Sequence, residues 1–151
     1  MRDFRVVLGD CNVGAHAEGF SALFGIQQGG LTSLVYDGKE RLCAVPRVTF
    51  WRAPTDNDNG ANFGFTRGIW KLASLYQKLA DVQYAKVDGN LEIEYFFELP
   101  TSTKTTVRYV VTSDGNIHVT ATVLTKTTLT AITAQSAAFT REPPRAISRV
   151  I

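Results

Sequence analysis

Phe50-Trp51-Arg52-Ala53-Pro54-Thr55-Asp56-Asn57-Asp58-Asn59-Gly60 is the stretch on which the reading of this chain turns. Two aromatic side chains stand where a β-strand can bury one face. A proline then leads into a run of short acids and amides closed by glycine. Asp and Asn hydrogen-bond their own backbone in tight turns, and glycine accepts positive φ. The stretch predicts a rigid, sharply folded loop, anchored by Trp51 and shaped by Asp56, Asn57 and Asp58.

Outward from it, the pattern is mostly β. Phe4 to Leu8 reads as a short strand, Asn12 to Glu18 alternates loosely, Phe20 to Ile26 is a second apolar run, and Leu31 to Tyr36 is strand-like. Asp37-Gly38 is a hairpin signal, because both central residues of a type I′ turn need positive φ. Arg41 to Val45 is expected to return as a strand, and Pro46 to mark an edge or break. Between Thr66 and Ala80 the period changes. Ile69, Leu72, Ala73, Tyr76, Leu79 and Ala80 recur at helical spacing, opposite Lys71, Ser74, Gln77 and Lys78, with Thr66 as the expected N-cap. Two-residue alternation then resumes at Leu91, Ile93, Tyr95 and Phe97, and again at Ile117, Val119, Ala121 and Val123. Three Asp-Gly turns between alternating runs argue for antiparallel pairing. The expected fold is mainly β, an antiparallel sandwich with one helix.

After about Thr125 the alternation weakens, and the end of the chain carries Pro143-Pro144 and three arginines. This divides the chain into a sandwich portion, 1–125, and a poorly specified tail, 126–151.

Composition is that of one ordinary domain: 151 residues, 44% hydrophobic, 20% charged. The formal charge of +2 is too small to imply nucleic acid or a membrane surface as partner. Met1-Arg2-Asp3-Phe4-Arg5 is not a signal peptide, and no segment reaches membrane-spanning length, so a cytoplasmic location is expected. Cys11 and Cys43 have no metal-site spacing and read as two small buried hydrophobes in a reducing compartment.

The polar residues offer little self-contained chemistry. Counted as an EF-hand loop from Asp56, the fifth position is Gly60, the sixth Ala61 and the twelfth Arg67, and the calcium pattern fails. Asp56 and Asp58 could form a carboxylate pair of the kind a retaining glycosidase uses. However, a general acid needs burial to raise its pKa, and this run is hydrophilic, so turn-bracing is the better reading. His16 and His118 have no partner at a diagnostic spacing, and His118 falls on the solvent phase of its strand. Gly60, Gly64 and Gly68 suggest a mobile lead into the helix.

The motif, Phe50 to Gly60, closely resembles a signature of the C-terminal sandwich domain of retaining β-galactosidases. That domain also occurs as the separate small subunit of heterodimeric β-galactosidases. Phe20 to Ile26 and Gln28-Gly29-Gly30-Leu31-Thr32-Ser33-Leu34 look like its opening strands, and Trp70-Lys71-Leu72-Ala73 fits the helix that follows. The resemblance covers roughly Asp3 to Val123.

It implies a partial galactose-mutarotase-like supersandwich packed on a catalytic barrel, either a large β-galactosidase subunit or a barrel domain. That partner would carry both catalytic glutamates, with Mg2+ allowed for there and a β-galactoside such as lactose as substrate. No residue of this chain inherits a catalytic or metal role. Trp51, Arg52, Asp56, Asn57, Asp58 and Gly60 would lie at the barrel interface near the sugar. Gly60 to Arg67 would be a mobile loop with Gly60 as its hinge.

The family domain continues well past this chain's end, and Ala134 to Ile151 does not look like that continuation. A truncated or frame-shifted reading of a longer gene would explain this, whereas Met1 near the domain's start suits a small-subunit gene. The alternatives are a stand-alone carbohydrate-binding or mutarotase-like module and a non-functional gene fragment.

Overall fold

The structure is a computed structural model that describes residues 3–51, 53, 55–124 and 132–139. Arg52 and most of the 126–151 segment therefore lie outside the described residues. The described part is two five-stranded antiparallel sheets packed face to face. The first holds β1 (Arg5–Leu8), β2 (Asn12–Ala17), β3 (Phe20–Gly25), β4 (Gly30–Tyr36) and β5 (Lys39–Glu40), in that spatial order. The second holds β6 (Lys78–Val87), β7 (Asn90–Glu98), β8 (Lys104–Val111), β9 (Ile117–Leu124) and β10 (Ile132–Phe139), again with chain neighbours as sheet neighbours.

The turns explain why neighbours pair. At Asp37-Gly38 and Asp88-Gly89 both central residues have positive φ (50° and 76°, then 50° and 82°), the backbone that matches strand twist in a two-residue hairpin. Asp114-Gly115 is built differently. The Gly115 amide donates to the Thr112 carbonyl, the Thr112 amide donates to the Asn116 carbonyl, and only Gly115 turns left-handed. That is a three-residue loop with a bulge. Ser102, at φ 58°, plays the same part between β7 and β8.

Alternation then decides what is buried. Leu91, Ile93, Tyr95 and Phe97 face the interior, with Val107, Tyr109, Val111 and Ile117 beside them. Val13, Ala15, Phe20, Ala22, Phe24, Leu31, Leu34 and Tyr36 meet them from the first sheet. Two tyrosines cross the interface: Tyr95 Oη donates to the Gly25 carbonyl (3.1 Å) and Tyr36 Oη to the Gly115 carbonyl (2.8 Å). Phe24 and Tyr95 both meet Tyr109 edge to face, at 5.2 and 6.0 Å between ring centroids. Burial pushes the Tyr109 phenol up to about 12 and the Tyr95 phenol higher still, so both stay protonated and Tyr95 keeps the proton it donates.

Five expectations need correction. There are three short helical segments rather than one: α1 (Asp56–Gly60), α2 (Phe63–Thr66) and α3 (Ile69–Leu75). The helix expected to reach Ala80 stops at Leu75, because pairing of Lys78 with Glu98 and Leu79 with Phe97 draws the chain into β6, with a bulge before Asp81. Its N-cap is Gly68, not Thr66, which ends α2 and donates to the Asn62 carbonyl. A Cβ at Gly68 would stand 2.6 Å from the Gly64 carbonyl oxygen, so this pair of glycines closes the joint between α2 and α3.

The strand expected over Arg41 to Val45 is only Lys39–Glu40, and the chain from there to Trp51 is irregular. Cys11 and Cys43 are free but exposed, one in the β1–β2 turn and the other in that irregular stretch, where no sheet face covers them. His118 faces solvent as expected. Within the segment read as unpatterned, β10 pairs with β9 through a bulge between Ala134 and Ala137.

Thr105 on β8 is 1% exposed, and its hydroxyl has no hydrogen-bond partner among the described residues. Replacing a buried, unpaired hydroxyl by a methyl of the same shape removes a desolvation penalty. Thr105→Val is expected to raise unfolding stability by about 1 kcal/mol, read as a higher urea midpoint at unchanged slope.

Candidate functional site

The motif is not a loop braced by Asx turns. From Thr55 onward it is a short helix with a reciprocal cap. The Thr55 hydroxyl accepts from the Asp58 amide, while the Asp58 carboxylate accepts from the Thr55 amide (2.8 Å) and the Thr55 hydroxyl (2.9 Å). Asp56 and Asp58 lie in the first turn, where the helix dipole favours negative charge. A Thr followed three residues later by an acid is a capping-box signal, and it was legible in Thr55-Asp56-Asn57-Asp58.

Asp56, Asn57 and Gly60 are exposed, and Asp58 and Trp51 are half-buried. Gly60 is the last residue of α1, with open space where a Cβ would project. The Asp58 carboxylate is engaged in the cap, and neither aspartate has the burial a general acid needs. Among the described residues, no group of three or more His, Cys, Asp or Glu side chains is placed to hold a metal ion.

What carries α1 is the irregular strap that begins after β5. Glu40 holds its start: the carboxylate accepts from the Ser33 hydroxyl (2.6 Å) and from the amides of Leu34, Arg41 and Leu42 (2.9–3.0 Å). The Ser33 hydroxyl first, then the Leu34 and Leu42 amides, hold the Glu40 carboxyl down at about 2. Farther on, Arg47 donates to the carbonyls of Gln28 (2.5 Å) and Gly29 (3.4 Å) and lies over the Phe97 ring. Gln77 Nε2 then donates to the Val48 carbonyl (2.6 Å), and the Phe50 amide donates to the Ser74 hydroxyl (2.8 Å). The Phe50 and Trp70 rings sit 6.1 Å apart.

Glu40, Arg47, Ser74 and Gln77 were not legible as site residues. Ser74 and Gln77 read as the polar face of a helix, and nothing in their spacing shows that they turn toward a neighbouring segment.

Beside the motif, the short helices leave large apolar side chains in solvent: Phe65 is 93% exposed, Leu75 71%, Tyr76 67%, and Ile69 and Leu72 48% each. Such a group of apolar side chains is the kind of surface that a partner covers. An open depression lies elsewhere, along β1 and β2, edged by Asp3, Phe4, Arg5, His16, Ala17 and Glu18. There His16 Nδ1 meets the Ser21 hydroxyl at 2.9 Å. No helix among the described residues is long and apolar enough to cross a membrane.

Comparison with known proteins places these features in a family. The model of the β-galactosidase small chain matches residues 16–143, running through β10. The β-galactosidase of Clostridium acetobutylicum is 37% identical over 117 residues, which is 76% of this chain and 13% of that protein. The β-galactosidase of Halalkalibacterium halodurans is 39% identical over 117 residues, covering 76% of this chain and 12% of its own length. The β-galactosidase small subunit of Latilactobacillus sakei is 31% identical over 137 residues, covering 76% of this chain and 43% of that subunit. The chain thus spans less than half the length of each of these relatives.

Two outcomes test the local geometry. Thr55→Ala or Asp58→Ala is expected to speed amide exchange at Asn59 and Ala61 about fivefold, the equivalent of a lost cap worth about 1 kcal/mol. The Glu40 carboxyl is expected to titrate near its depressed value of about 2 rather than 4.5. Its contribution to stability is then full above the unfolded value and lost as pH falls through about 2. Because Glu40 is exposed, that contribution is small. Carboxyl-carbon chemical shifts followed from pH 6 downward check the midpoint.

Proposed function

The chain belongs to the β-galactosidase small-chain family, and we propose that it forms part of the wall of a β-galactosidase active site whose chemistry lies on a partner. The partner is a large subunit or barrel domain carrying two glutamates. These hydrolyse terminal β-galactosides, lactose among them, by double displacement through a covalent glycosyl intermediate. The carboxylates of this chain do not take those roles. The Mg2+ that accompanies this reading is assigned to the partner barrel, and the assembly to the cytoplasm.

The observation that carries the proposal is the motif helix itself. Thr55 and Asp58 close its cap, Asp56, Asn57 and Asn59 stand in solvent, and the short helices that follow expose Phe65, Ile69, Leu72, Leu75 and Tyr76. Short polar groups on a rigid support suit hydrogen bonding to sugar hydroxyls, and the apolar residues suit a protein interface. In this reading Trp51, Arg52, Asp56, Asn57, Asp58 and Gly60 line the contact between sandwich, barrel and sugar, and Gly60 acts as the hinge of the segment to Arg67.

The full chain mixed with a family large subunit is expected to increase hydrolysis of a chromogenic β-galactoside over the large subunit alone. Asp56→Ala combined with Asn57→Ala should reduce that gain while leaving binding of the two chains intact. No gain with the wild-type chain, under conditions where the two chains co-elute, would overturn the proposal.

A further inference from the structure

The segment leading into the motif belongs to no sheet, so its backbone groups must find partners elsewhere. Two of them do so at the end of α3 and just beyond it, through side chains with defined direction. The Ser74 hydroxyl donates to the Trp70 carbonyl one turn back (3.2 Å), which turns its lone pairs toward the Phe50 amide (2.8 Å). The Gln77 side-chain amide donates both to the Val48 carbonyl (2.6 Å) and to the Ser74 carbonyl near the end of α3 (3.2 Å). One amide thus caps the helix and holds the strap. The Phe50–Trp70 ring contact packs over the same junction. Next to Ser74 in the chain, Ala73 is fully buried.

We propose that α3 and the link that follows it form a positioning clamp: Ser74 and Gln77 fix the backbone at Val48 and Phe50 and thereby set where α1 stands relative to the sandwich. They are positioning residues, acting on the motif through the chain that carries it. The proposal rests on the reading that α1 walls a sugar site, and it assigns to α3 a duty separate from any docking role of its exposed apolar side chains. A hydroxyl that serves as acceptor for one amide and donor for one carbonyl is replaceable by threonine but not by alanine. The glutamine is not replaceable by leucine, which lacks the donor.

The test uses the full chain carrying Ser74→Ala, Ser74→Thr or Gln77→Leu, with thermal unfolding confirming that each folds. Amide exchange at Phe50 is expected to rise about 3- to 10-fold in Ser74→Ala, the range that one net hydrogen bond supplies. In Ser74→Thr it should stay at the wild-type rate, and in all variants the core amides of β7 should be unchanged. In the complex with a large subunit, Ser74→Ala and Gln77→Leu should each raise KM for the β-galactoside several-fold with kcat nearly constant, and Ser74→Thr should restore KM. Unchanged exchange at Phe50 overturns the clamp, and raised exchange with unchanged KM overturns its positioning role.

If the wild-type chain adds no hydrolysis, the proposed function fails. The clamp is then judged on α1 alone: exchange at Asn59 and Ala61 rising with that at Phe50 supports it, and their independence overturns it.

Discussion

Everything in the molecule depends on how two tyrosine hydroxyls are satisfied inside the sandwich. Tyr95 and Tyr36 lie in an interior from which water is excluded, and an unpaired buried phenol would cost about 1–3 kcal/mol. Each finds a backbone carbonyl of the opposite sheet, Gly25 and Gly115 respectively. Gly25 ends β3, where its carbonyl also takes the Gly29 amide, and Gly115 lies in the loop between β8 and β9. These bonds therefore do more than compensate burial: they fix one sheet against the other in rotation and translation. Non-directional packing of Leu, Ile and Val could not do that alone. Tyr109, wedged between Phe24 and Tyr95, fills the space that this alignment leaves.

The strap from β5 to α1 obeys the opposite logic. The sheets satisfy their own backbone, but the strap must borrow partners, and it does so at separated points: Glu40 at its start, then Arg47, Gln77 and Ser74. Each is a long or directional side chain reaching a main-chain atom. A segment held this way is fixed at its anchor points, and beyond them most residues of α1 are exposed.

The sheets were largely readable because period and turn chemistry agree. Leu91 through Phe97 alternate, and Asp88-Gly89 and Asp114-Gly115 stand at the strand ends, so pairing and inward face follow from local rules. The helix was misjudged at its end for a physical reason. Tyr76, Leu79 and Ala80 do recur at helical spacing, but a vacant edge on β7 offers Lys78–Val87 a full ladder of hydrogen bonds, and tertiary pairing wins. In the motif, the Asp-Asn repeat pointed to turns while Thr55 and Asp58 pointed to a cap, and the cap prevailed. Ser74, Gln77 and Arg47 stayed hidden because their partners are carbonyls and amides far along the chain, which leave no trace in residue spacing. The burial expected of Cys11 and Cys43 failed likewise, since cysteine's usual preference for the interior says nothing about a residue in a turn.

The spatial order of the strands has a consequence for how the molecule assembles. Both sheets are plain meanders: neighbours in each sheet are neighbours in the chain, and most joints are turns of a few residues. Loop closure of that kind costs little entropy, so each sheet can zip from its own hairpins as soon as its residues are available. The distant partnerships, Tyr36 with Gly115 and Tyr95 with Gly25, join residues separated by 79 and 70 positions. The longest of these chain closures therefore belong to the packing of one sheet on the other rather than to strand pairing within either. The strap's own hydrogen bonds close shorter stretches, from 19 positions between Gln28 and Arg47 to 29 between Val48 and Gln77.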